Sequence, residues 1–117
     1  MFPYSFSCSE IPPTEENLFE AAIGAARALY FAHTRSFEVG SVCDIGLATP
    51  GAAVDWTYAV GGVSWSWTIE LRDRGVYGFL LPPDQIRGSG EEVSRALESL
   101  AEFVLTKEDM KRVVDKI

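Results

Sequence analysis

The sequence holds one histidine, two cysteines, and no apolar run long enough to cross a membrane. Each shortage excludes something. One His and two Cys, Cys8 and Cys43, do not make a four-ligand zinc set at any familiar spacing. The cysteines stay open at this point between two buried thiols and a disulfide. Without a span of about 20 apolar residues there is no transmembrane helix. Phe2 to Ser9 has neither a basic start nor a long apolar stretch, so no signal peptide is expected in this chain. Positive charge is also in deficit. Ten Lys and Arg face seventeen Asp and Glu, a net charge of −7, whereas nucleic-acid binding needs a basic surface. Neither nucleic acid nor membrane is expected as a partner.

What is present is a globular composition, 47% hydrophobic and 23% charged over 117 residues. That length suits one small domain or part of a larger one, able to bury roughly two-thirds of its unfolded surface. The start is irregular, with Pro3, Pro12 and Pro13. Thr14 then caps an expected helix with Glu15 and Glu16 in its first turn. Leu18, Ala22, Ala25 and Leu29 form one row and Phe19, Ile23, Ala26 and Tyr30 the next, ending near Ala32. A short strand is expected over 40–45 and a helical turn over 52–59. Ser89-Gly90-Glu91-Glu92 has the form of a capping box for a second long helix. Thr106 looks like the cap of a third, short helix running from Lys107 to about Lys116.

The most informative stretch runs from Trp65 to Phe79, within an alternation that begins at Val63. Val63, Trp65, Trp67, Ile69 and Leu71 alternate with Ser64, Ser66, Thr68, Glu70 and Arg72, a period of two that predicts a strand. Glu70 is an acid on its hydroxylated face. A carboxylate on a rigid strand, if screened from water, has a raised pKa and a fixed direction, which suits a general base. The local pattern leaves equally open a strand Glu held in an ion pair, for instance with Arg72. Arg72 and Asp73 read as structural, since a buried charge needs a partner. With two or three short strands and two long helices, the chain reads as α/β, the end of a domain whose sheet lies mostly elsewhere.

Several runs carry a family resemblance. They are Pro3-Tyr4, Asp55-Trp56-x-Tyr58, Thr68-x-Glu70-Leu71-Arg72-Asp73, Gly75-x-Tyr77-Gly78-Phe79-Leu80-Leu81-Pro82, Gln85-Ile86 and Glu91-Glu92. In order and spacing the chain resembles the C-terminal part of zinc metallocarboxypeptidases of the carboxypeptidase A/B type, closest to fungal secreted members. The resemblance covers 1–105 as an incomplete catalytic domain and leaves 106–117 as a helical extension. It implies a mixed-sheet α/β fold with two long helices on two or three strands. It implies a zinc-held water activated by a late Glu, matched by Glu70, and peptide or protein C-termini as substrates. Val54 falls in the pocket for the C-terminal side chain, where an apolar residue implies apolar or aromatic preference. Thr68 and Phe79 match further pocket and subsite positions. The paired Cys8 and Cys43 imply a disulfide and an extracellular protein.

Three departures qualify that picture. Leu47 stands where the family has a mobile Tyr, and leucine offers no hydroxyl. The family's H-x-x-E and later His, its zinc ligands, have no counterpart here, and neither do the Arg and Asn that capture the substrate's carboxylate. His33 matches no ligand position and reads as a solvated loop residue. Zinc therefore belongs to full-length members, and this chain by itself is expected to bind none and hydrolyse nothing. The alternatives are a catalytically dead binding module or a truncated gene product.

Overall fold

The computed structural model describes residues 1–117 and is helical. Its elements are α1 (Glu15–His33), α2 (Val42–Ile45), α3 (Ala53–Ala59), a 3-10 turn at Pro83–Gln85, and α4 (Ile86–Asp115). The expected α/β fold is not found: there is no sheet. A strand exists only where a neighbouring backbone pairs with it over several residues. Residues 63–72 form no strand, with bends at Ser64, Trp65 and Arg72, and make a single reciprocal pair. Thr68 N–H donates to the Met1 carbonyl and the Met1 ammonium to the Thr68 carbonyl, each at 2.9 Å. Phe2 in turn bridges Ser41, through Phe2 N–H to Gly40 O at 3.1 Å and Val42 N–H to Phe2 O at 2.9 Å. Residues 1–2 thus lie between two segments with one rung on each side. The alternation from Val63 to Arg72 predicts a strand, and the missing ladder is what overturns it. The expected strand at 40–45 is likewise one helical turn, α2, capped by the Ser41 hydroxyl.

α1 matches its expected span, ending one residue beyond Ala32. Its cap differs. The Thr14 side chain bonds no helix N–H, and instead Thr14 N–H and Oγ1 lie 3.1 and 2.8 Å from the Tyr58 hydroxyl. Thr34 closes the other end in the left-handed region, where its N–H reaches the Tyr30 carbonyl at 2.6 Å.

α4 is one continuous helix across the expected break at 105/106. Thr106 does not cap, because its hydroxyl donates back to the Glu102 carbonyl four residues earlier. Glu92 does not complete a capping box, because its carboxylate is engaged elsewhere. The helix starts earlier, out of the Pro83 turn. At 1.5 Å per residue α4 is about 45 Å long and α1 about 28 Å, so α4 overhangs its partner.

α1 and α4 pack on each other through Ala21, Ala25, Leu29, Ala96 and Leu100, with Trp67, Ile69, Phe37 and Phe103 at the margin. Small residues set the closeness: a Cβ on Gly24 would stand 3.3 Å from Ser99 Oγ. A second cluster, Phe2, Leu18 and Ala22, is covered by Tyr58, Trp65 and Trp67. Trp65 and Trp67 stack at 5.9 Å, and their indole N–H groups donate to Glu108 and to the Leu18 carbonyl. Only 17 residues are buried. The accessible surface is 7995 Å², against about 6300 Å² for a compact chain of this mass. The radius of gyration is 15.5 Å, against about 13 Å. This is an open framework around a narrow helix-pair core.

Candidate functional site

The segment 67–74 carries Thr68 and Glu70 into the wall of a cavity of about 760 Å³ that it forms with α1 and residues 34–39. Ala25 and Leu29 form its apolar floor, and Arg35, Glu38, Glu70 and Arg72 bring charge to it. Glu70 is exposed and hydrogen-bonds no other side chain. It is not the screened carboxylate that the sequence pattern allowed for. The Met1 ammonium lies within electrostatic range of it. Burial lowers that amine's pKa, and the negative Glu70 offsets part of the shift.

The ion-pair alternative for Glu70 is answered by Arg72, which faces the other way. Arg72 Nη2 donates to Glu92 Oε1 at 2.6 Å, and Nε donates to Oε2 at 3.0 Å. The two side chains are 8% and 1% exposed. These bonds hold the guanidinium above its ordinary pKa. Arg35 Nε stands 3.9 Å from the same carboxylate. The pair ties residue 72 to α4, two residues on from Glu70. Sequence reasoning made Arg72 structural but did not find its partner, although Glu92 was legible as an acid at a helix start.

The other expected site residues do not gather here. Val54 is buried in α3, outside the cavity wall. Leu47 and Phe79 lie in exposed loops, also outside it. The motif around Val54 has a clear structural task. Asp55 accepts the N–H groups of Ser5 and Phe6 at 2.8 and 2.9 Å, clamping the N-terminal arm. That arm also carries Cys8, which is bonded to Cys43 with Cα atoms 5.3 Å apart. The disulfide implied by the resemblance is therefore present.

Over nearly the whole of its body the chain matches a family model described as zinc carboxypeptidase, residues 1–96. The chain belongs to the zinc carboxypeptidase family. Among curated proteins it is 38% identical over 120 residues to the inactive metallocarboxypeptidase ecm14 of Talaromyces stipitatus. It is 40% identical over 120 residues to the protein of that name from Ajellomyces dermatitidis. Each alignment takes in 90% of this chain and 20% of the relative, so the chain spans about a fifth of their length. Among solved structures it superposes on bovine thrombin-activatable fibrinolysis inhibitor, in complex with tick carboxypeptidase inhibitor. The TM-score is 0.85 at 36% identity, covering 91% of this chain and 36% of that one.

Zinc is the metal that the family's description implies, and the side chains in this chain do not fit it. No group of three His, Cys, Asp or Glu side chains converges. Both thiols are spent in the disulfide. His33, expected in a solvated loop, ends α1, and its Nε2 lies 2.8 Å from Glu91 Oε2 on the outer surface.

Proposed function

We propose that this chain is a carboxypeptidase-like segment that presents Glu70 on a peptide-binding face and hydrolyses no peptide by itself. The observation that carries this reading is the donor inventory. The only His is paired with Glu91 and both Cys are bonded to each other, so no zinc-ligand set can form from these residues. In this reading Glu70 occupies the proton-transfer position, with Thr68 beside it. Val54 belongs to a pocket for an apolar or aromatic C-terminal side chain, with Phe79 as a further subsite. Leu47 removes a hydroxyl contact to substrate. Peptide or protein C-termini are the ligands, and the disulfide favours an oxidising, extracellular setting.

The test is zinc content by elemental analysis together with hydrolysis of a blocked dipeptide ending in Phe. The expected result is no stoichiometric zinc and no turnover. One zinc per chain with turnover overturns the reading. A second reading, a binding module with no catalysis in any setting, is favoured by the curated relatives' names, which call them inactive. Titrating the chain with the peptide products tests it: saturable binding of a peptide ending in Phe, lost on V54D, is the expected result.

A further inference from the structure

α4 runs on past the family-matched residues, which end at 96, and past the end of α1. Along its inner face Ala96, Leu100, Phe103 and Lys107 lie against the body. Ala96 and Leu100 join the core, Phe103 meets Trp65 edge-on, and Lys107 reaches Glu20 at 3.4 Å. This stripe continues as Met110, Val113 and Val114 in the last turns of α4, and Ile117 follows just past the C-cap residue Lys116. Nothing in the chain covers these four. They are 58% to 101% exposed. Apolar side chains at i, i+3 and i+4 on a solvated helix, with a fourth just past its end, mark a contact face.

We propose that residues 106–117 pair antiparallel with the same segment of a second copy of this chain. The occupant follows from the charges beside the stripe. With Thr106, Met110, Val113 and Ile117 as the heptad seam, Met110 of one copy meets Val113 of the other and Thr106 meets Ile117. Asp109 and Lys116 then occupy the flanking position on one edge. In the antiparallel arrangement each Asp109 faces the other copy's Lys116, twice by symmetry. In the parallel arrangement Asp109 would face the uncharged Val114. Asp109 is available, since its ion pair is an exposed one within the helix, with Arg112 at 3.7 Å. A twofold axis across the tail sets the two bodies at opposite ends and makes the contact self-complementary. Three helical turns bury less than a standard interface, so the association is weak and concentration-dependent.

The test is sedimentation equilibrium of the full chain with its disulfide intact, at concentrations up to on the order of 1 mM. A monomer–dimer equilibrium is expected. V113D abolishes it. D109K and K116D each weaken it by about tenfold, because one change turns two attractions into two repulsions. D109K/K116D together restore it, because the pairing is reversed but complementary. These positions are solvent-exposed, and unchanged helix content by circular dichroism confirms that the variants fold. A chain monomeric throughout overturns the proposal. So does a dimer indifferent to V113D, which assigns association to the apolar loops or cavity of the body. Weakening by both single charge reversals without rescue by the pair overturns the antiparallel register.

Discussion

Arg72 lies flat against the bare Cα of Gly88: a Cβ there would stand 2.8 Å from Nη2 and 3.2 Å from Cζ. Gly88 is inside α4, where glycine costs about 1 kcal/mol relative to alanine. Its presence is explained by the guanidinium it admits, which is itself fixed by Glu92 and has nowhere to retreat without breaking two hydrogen bonds.

A paired substitution isolates this effect. G90A, two positions on, meets nothing within 4 Å and is expected to stabilise by about 0.5–1 kcal/mol. G88A is expected to forfeit that gain and to lower the melting temperature. Thermal unfolding of both variants checks it, and equal stabilisation by the two would remove the packing argument.

Removing one member of the Arg72–Glu92 pair strands the other charge in a dry site. E92A and R72A are each expected to cost about 3–5 kcal/mol. The double variant R72A/E92A is expected to cost clearly less than their sum, since no orphaned charge remains. Denaturant titration of the four proteins gives the coupling. Strict additivity would mean that the pair contributes nothing.

Glu91 titrates below its ordinary value because His33 and then Arg87 hydrogen-bond its carboxylate. Its folded pKa is lowered, so the unfolded chain takes up the proton first as pH falls. The stabilising contribution is whole above about pH 4.5 and is lost as pH drops through the folded value. E91Q is therefore expected to be less stable than the parent at about pH 5.5, with the difference shrinking toward pH 3. Chemical denaturation at both pH values measures it, and a constant difference would count against the assignment.

Reducing the Cys8–Cys43 bond frees the arm that Asp55 clamps. A closed loop with a sequence separation of 35 contributes about 4 kcal/mol in the chain-entropy account. C8S/C43S is expected to unfold at correspondingly lower denaturant, with the midpoint compared in the absence of reductant. Unchanged stability would show that Asp55 and the Phe2 bridge suffice to hold the arm.

Helix positions were legible because their cause is local. The apolar rows from Leu18 to Leu29 require burial on one face, and α1 supplies it. The expected strands were overturned because alternation at Trp65, Trp67 and Ile69 does not report whether a neighbouring backbone is there to pair. Caps were misread for a related reason. Thr14, Glu92 and Thr106 all carry cap-forming side chains, but Tyr58, Arg72 and the Glu102 carbonyl compete for them, and those partners depend on the tertiary structure. Of the site, the E-L-R-D run drew attention to Glu70 and Arg72, and both line one cavity. Val54, Leu47 and Phe79 were named by the resemblance, and they lie apart from that cavity.

The narrow core has a kinetic consequence. The helices that form it stand at opposite ends of the chain, with everything from Thr34 to Gln85 between them. Every buried contact between Ala21, Ala25 or Leu29 and Ala96 or Leu100 must therefore close a long loop before it stabilises anything. Folding speed should depend on how early the intervening arm is gathered, and the Cys8–Cys43 tether shortens only the first part of that search.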